Sequence, residues 1–228
     1  NEISVFEPDS QVATMLKANF NYLTLVDSPR AAATQELVFL AVHPPVLKEV
    51  FGQINDVIGE ATVVISLAPK ITLEKMASVL SSSSLVRMIP NATSFINDGY
   101  NPISFNCNFG EGEKIKVMNL FEVLGECFEV EEEKLEAYAI VSAMLPTYFW
   151  FQWAKIREIA MRTGLEDEES KEIIYQTLIR SLNFFYNSDL STEGIIDLIP
   201  VKPIGEHEAE IEKILETKLL GLFDKIKP

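Results

Sequence analysis

Five short apolar runs, separated by helix-compatible stretches, constrain this chain more than any other feature. Ile3 to Phe6, Tyr22 to Val26, Leu37 to Val42, Thr62 to Ser66 and Leu85 to Met88 read as strands. Ser10 to Asn19, Pro45 to Val57 and Thr72 to Leu80, lying between them, read as helices. Strands that are apolar almost throughout suit a sheet covered on both faces, because each face needs a helix layer to shield it from water. Right-handed crossovers then bring successive strand ends to one edge, where loops form a ligand cleft. The expected fold is therefore an α/β, Rossmann-like parallel sheet domain.

The stretch Asn101 to Asn108, with Pro102 near its start, reads as an additional edge strand or an irregular return to the sheet. A helix-compatible segment from Glu113 to Leu124 follows, and Cys127 to Val130 completes the layer. The first domain is expected to span residues 1–131. From Glu132 the pattern turns helical, which predicts an all-helical C-terminal domain over 132–228. Leu135, Tyr138, Ala139, Ser142, Phe149, Trp150, Trp153 and Ile156 can share one face of a long helix, bent at Pro146. Later helices are expected around Ile173 to Phe185 and Ile211 to Phe223. Ser81 to Ser84 reads as a flexible turn before a strand.

Composition narrows the function. The net charge of −15 over 228 residues argues against a surface for a phosphate backbone, so nucleic acid is not an expected partner. The acidity is concentrated late: residues 1–109 hold 6 basic and 10 acidic residues, whereas 110–228 hold 13 and 24. The two cysteines, Cys107 and Cys127, fit neither a redox pair nor a zinc spacing, which suggests a reducing setting and no structural metal. No uninterrupted apolar stretch approaches the roughly 20 residues that span a bilayer. A cytoplasmic protein without a membrane partner is expected.

Candidate chemistry gathers at the strand ends. Glu7 follows the first strand, where a carboxylate can accept hydrogen bonds from a ribose diol and disfavour an added 2′-phosphate, selecting NAD over NADP. Asp9 or Ser10 there can also cap the next helix. His43 ends Leu37-Val38-Phe39-Leu40-Ala41-Val42 and precedes two prolines, either as a ligand contact or as a packed loop residue. Ser66-Leu67-Ala68-Pro69 forms a second loop at this edge. In the third, Arg87 can bind a substrate carboxylate through its planar donors or pair with an acidic helix, and Asn91 and Thr93 flank a proline-constrained turn. A dinucleotide fold ordinarily has a strand and a GxGxxG turn ahead of the position of Glu7, and none precedes it in this sequence. If such a segment belongs upstream, it would cradle phosphates and fill a central sheet position; if the chain starts at Asn1, strong dinucleotide binding is not expected, because Glu7 alone cannot replace those amide donors.

The stretches AVHPP, VRMIPNAT and SAMLPTY, in this domain order, resemble the pyrroline-5-carboxylate reductases and related NAD(P)-dependent reductases. The resemblance implies that Ala41, Val42 and Pro44 lie near a nicotinamide cofactor, that Ser66 and Ala68 line its path, and that Asn91 borders the nicotinamide. It also implies a dimeric active site completed by the helical domain. Ser142 and Tyr148 fall in the segment that resembles the family's SGSGPAY-like substrate stretch, with Met144 in place of a second serine. Ile199 to Gly205 keeps a proline and a glycine of a later family loop without its hydroxyl-rich part.

The function expected from these readings is hydride transfer from NAD or NADP to a small imine or carbonyl substrate. Arg87, Asn91, Ser142 and Tyr148 are the expected substrate contacts, and no catalytic proton donor is assigned. The alternative is a non-catalytic, cofactor-responsive interaction protein or a structural dimer.

Overall fold

The computed structural model describes residues 2–228. Strand β1 (Ile3–Val5) leads to α1 (Ser10–Asn19). That helix starts where the Asp9 carboxylate accepts hydrogen bonds from the backbone N–H groups of Gln11 (2.8 Å) and Val12 (3.2 Å). The carboxylate satisfies donors that the first turn leaves open and sits at the positive end of the helix dipole. β2 (Leu23–Leu25) runs parallel to β1, and α2 (Pro29–Ala32) follows, capped by Ser28. The alternation continues through β3 (Leu37–Leu40), α3 (Pro44–Ile54), β4 (Val63–Ser66), α4 (Leu73–Ala77) and β5 (Ser84–Met88). β6 (Gly99–Phe105), α5 (Glu111–Phe121) and β7 (Gly125–Glu129) complete the strands.

The main sheet has five strands in the order β3-β4-β5-β6-β7. Its pairs are parallel except β5–β6, which is antiparallel. β1 and β2 form a separate parallel ribbon, tied towards β3 by Gln35 Nε2 donating to Ser4 Oγ at 3.4 Å. Among the described residues β1 pairs only with β2, and β3 only with β4. The Rossmann-like α/β layer and the helical region that follows it are thus both present.

Alternation along the strands explains why they read as unbroken apolar runs. Val64 and Leu85 point into one core with Leu47, Ile54 and Met76, while Ile65, Val86 and Met88 point into another with Ile103 and Phe121. Each buried side chain of this size contributes about 1.5–3 kcal/mol relative to exposure. With both faces covered, only the strand ends can carry polar groups cheaply.

Two local expectations are corrected. The strand containing Pro102 lies inside the sheet, between β5 and β7, and not at its edge. Pro102 stands just past the β5–β6 ladder, where its carbonyl accepts from Ile89 N–H at 3.1 Å and, having no N–H, it cannot return the second bond of that pair. The serine run before β5 is tied down. Ser82 is buried, donating from Oγ to the Thr62 carbonyl at 2.5 Å and accepting from Ser84 N–H at 3.0 Å.

The chain divides into two compact units, one running up to Ala143 and including Leu222–Pro228, the other Met144–Gly221. The first unit ends in α6 (Leu135–Tyr138) and a π-helical turn, Ala139–Ala143. The second contains α7 (Leu145–Arg162), α8 (Asp167–Asn187) and α9 (Thr192–Ile196). α10 (Glu208–Ile226) begins in the second and finishes in the first. The long helix expected to bend at Pro146 is realised as α6, the π turn and α7. Gly164, at φ +103°, ends α7, and Arg157 forks onto Asp167 with bonds of 2.9 and 2.7 Å at the start of α8. No helix among the described residues is long and apolar enough to cross a membrane.

Gly99 faces Gly125 where β6 and β7 start, with the two backbones in close approach. Gly125 holds φ +110°, and a Cβ there would stand 2.2 Å from the Gly99 nitrogen. Replacing Gly125 by alanine should therefore cost about 3 kcal/mol or more, through combined backbone strain and a clash with main chain that cannot move aside. Urea denaturation should show a lowered midpoint for G125A, while G112A, in open space on α5, should stay near the unmodified protein.

Candidate functional site

The register Leu40↔Ser66↔Arg87 aligns the C-terminal ends of three parallel strands. Ala41 to His43 therefore leave the sheet at the same edge as Leu67 to Pro69 and Ile89 to Asn91. Ligands of open α/β sheets bind outside such an edge. Ala41 and His43 are exposed, Val42 is half-buried against the core, and Ala68 is buried. His43 is the N-cap residue of α3 without a side-chain capping bond, and Pro44 opens that helix. The side chain of Pro44 lies outside the described part of the structure. Ser66 is buried, its Oγ accepting from Ala68 N–H at 3.3 Å. Glu7, after β1, accepts from Asp9 N–H through Oε1 at 2.9 Å.

A polar knot lies just past β5. Asn91 donates through Nδ2 to the carbonyl (3.4 Å) and Oγ (3.3 Å) of Ser142, and accepts through Oδ1 from Thr93 N–H (3.0 Å) and Oγ1 (2.9 Å). The Ser142 carbonyl is open to this bond for a covalent reason. Four residues on stands Pro146, which has no N–H to offer it. Below Asn91, the buried Asn101 accepts through Oδ1 from Asn91 N–H at 2.7 Å and from Ser94 Oγ at 3.0 Å. Asn101 was legible in the sequence only as the start of a strand, yet it fixes the turn that carries Asn91.

Arg87 has surroundings unlike those of the carboxylate contact expected of it. Its side chain is 1% exposed, and its Nη1 and Nη2 are engaged by Glu132 (2.9 Å) and Glu136 respectively. Only Nε lacks a hydrogen-bond partner. Breaking such a buried pair by removing one member costs about 3–5 kcal/mol, since it strands a charge away from water. The acidic-partner reading of Arg87 is the one the geometry supports, and a substrate carboxylate would have to displace both glutamates. Glu132 and Glu136 carried no signal in the sequence beyond the general acidity of their segment.

A family profile described as "NADP oxidoreductase coenzyme F420-dependent" matches residues 1–70. The pyrroline-5-carboxylate reductase of Escherichia coli K12 is 21% identical over 218 residues, covering 95% of this chain and 80% of that protein. The enzyme of the same name from Corynebacterium melassecola is 24% identical over 212 residues, covering 91% and 78%. Among solved structures, Plasmodium falciparum pyrroline carboxylate reductase with NADP bound aligns with a TM-score of 0.78 at 20% identity, over 98% of this chain and 86% of that one. The Streptococcus pyogenes 1-pyrroline-5-carboxylate reductase aligns with a TM-score of 0.78 at 19% identity, over 99% and 89%.

In sequence and in fold the chain is similar to pyrroline-5-carboxylate reductases.

The structure brings Ala41, Val42, His43, Ser66, Ala68 and Asn91 to one sheet edge and joins Asn91 to Ser142. Ser142 also donates to the Tyr100 carbonyl at 3.5 Å, so its hydroxyl is engaged within the first unit. Tyr148 belongs to the second unit, in the first turn of α7, where burial pushes its phenol above the usual range and keeps it protonated at neutral pH. Burial likewise raises the Cys127 thiol, against a smaller opposing contribution from its hydrogen bond with Asn101. No cluster of potential metal ligands occurs among the described residues.

The knot around Asn101 yields a measurable consequence. N101A removes the acceptor for Asn91 N–H and Ser94 Oγ in a buried place, and should lower stability by about 1–3 kcal/mol. Thermal unfolding should report that loss. Amide exchange should localise it to residues 91–97 and leave β3 and β4 protected.

Proposed function

We propose that this chain catalyses nicotinamide-dependent hydride transfer to a small cyclic imine or related carbonyl compound. The observation that carries the reading is the convergence of the β3, β4 and β5 ends at one edge, in a chain similar over almost its whole length to named pyrroline-5-carboxylate reductases. The residues present suit two parts of an extended dinucleotide. Glu7 offers a carboxylate to a ribose, with one of its oxygens accepting only from Asp9 N–H. Ala41, exposed, and Val42, half-buried, are the residues of that edge that a flat ring can meet, with Ser66 and Ala68 buried. A glycine turn for the pyrophosphate is absent among the described residues.

Hydride is the chemistry a nicotinamide dinucleotide supplies when bound at such an edge. The chain's own part is geometric: small side chains permit close approach, the β3 and β4 loops hold the ring's plane, and water is kept from the reacting carbon. Asn91, fixed by Thr93, Asn101 and Ser142, orients the edge of the site. Substrate contact falls to this region. With a protonated imine, hydride adds to carbon, the C=N π electrons move to nitrogen, and a neutral amine results. We place this activity in the cytoplasm, in keeping with two free cysteines.

Assembly with a second copy belongs to the same reading. Among residues 144–221, Ser170 is the sole buried residue, while Phe151 is 67% and Tyr186 76% exposed. Apolar helices that lack a core of their own need cover, and a self-complementary helical interface supplies it.

Two measurements test these statements. Spectrophotometric assay with a cyclic imine should show saturable NADH oxidation, and E7Q should reduce the preference for NADH over NADPH by about tenfold, because the carboxylate disfavours the 2′-phosphate. Absence of binding by either dinucleotide would refute the function. Light scattering should give twice the chain mass or a multiple of it; a monomer at micromolar concentration would refute the assembly.

A further inference from the structure

Arg87 is buried at the C-terminal end of β5, and its two carboxylate partners lie 45 and 49 residues further on, in the turn before α6 and in α6 itself. Each carboxylate does a second thing. Glu132 Oε1, 2.9 Å from Arg87 Nη1, also accepts from the backbone N–H of Leu73 at 2.7 Å. Glu136 Oε1, bonded to Arg87 Nη2, also accepts from the backbone N–H of Lys70 at 3.3 Å. Lys70 lies in the loop between β4 and α4, which carries Ala68, and Leu73 is the first residue of α4, so the two amides hold that loop and the helix start it leads into. Lys70 holds φ +69°, a conformation unfavourable for a residue with a side chain, so the loop needs an external hold.

We propose that Arg87, acting through Glu132 and Glu136, is a positioning residue that locks the β4–α4 loop into the shape required at the dinucleotide edge. The inference rests on the functional reading above for what the loop serves, but not for the lock itself. One guanidinium facing two carboxylates leaves an excess negative charge, and the Lys70 and Leu73 amides are the groups that share it. The loop is thereby held by charge-assisted bonds whose geometry is set by a planar, nearly solvent-free fork. A lysine could not span both carboxylates in this way. A buried ion cluster is a poor device for stability alone, since desolvation offsets much of its attraction, and it is better suited to fixing one arrangement among several.

The test uses the full chain in two independent readouts. Glu132 is partly exposed, at 22%, so its variants should fold. In hydrogen exchange without cofactor, E132A should exchange at least about tenfold faster in peptides covering residues 67–76, with β3 and β5 unchanged. E132Q, whose amide oxygen can accept the same bonds, should keep most of the protection. In NADH titration, E132A should raise Kd about tenfold and E132Q by less than about threefold. Exchange in 67–76 equal to that of the unmodified protein would overturn the lock. A rise spread evenly over the sheet would mark general loosening and overturn it too. A loosened loop with an unchanged Kd would overturn the positioning role. If the unmodified chain binds no dinucleotide, the functional reading and the role towards cofactor fall together, and the exchange pattern still decides the lock.

Discussion

Covering a sheet on both faces is the constraint from which most of this structure follows. It forces β4 and β5 to be apolar inside and leaves polar chemistry only at their ends, where Ser66 and Arg87 stand side by side in register. Polar groups that are nevertheless buried must find partners within the protein. Arg87 through its Nη atoms, Asn101, Glu136 and Ser82 all do so, the first three at the C-terminal end of β5 and Ser82 at its N-terminal end.

The strands and first helix were legible because their signals are local. An apolar run bounded by turn residues identifies β3, β4 and β5, and a carboxylate one residue before Ser10 identifies the start of α1. β6 was harder to place. Proline within a strand argues for an edge, and only its location just past the end of the β5–β6 ladder reconciles Pro102 with an interior position. The serine run before β5 misled for a similar reason. The Ser82 and Ser83 hydroxyls are tied to the Thr62 and Glu60 carbonyls on the neighbouring connection, and no window of sequence reveals such bonds.

At the candidate site, sequence supplied residue types and structure supplied relations. Asn91 stands out beside Pro90, but the groups that hold it are 10 and 51 residues away. Arg87 stands out as a cation in an apolar strand; its partners are glutamates in a segment where glutamate is common. The difference between a substrate-binding arginine and a loop-holding one is therefore a matter of long-range pairing. The knot around Asn91 and the ion cluster around Arg87 flank the end of β5, so the edge is braced on the β4 side by charge and on the β6 side by neutral hydrogen bonds.

The π turn at Ala139–Ala143 has its own implication for how this chain tolerates insertion and deletion. A π turn accommodates one residue more than an α-helical turn. Losing a single residue there is absorbed by relaxation to ordinary α-helix, so the helix that follows keeps its register. A one-residue loss in this stretch thus leaves α7 and its stacked pair Phe149 and Trp153 in register, whereas the same loss inside α7 turns every later residue of that helix by about 100°.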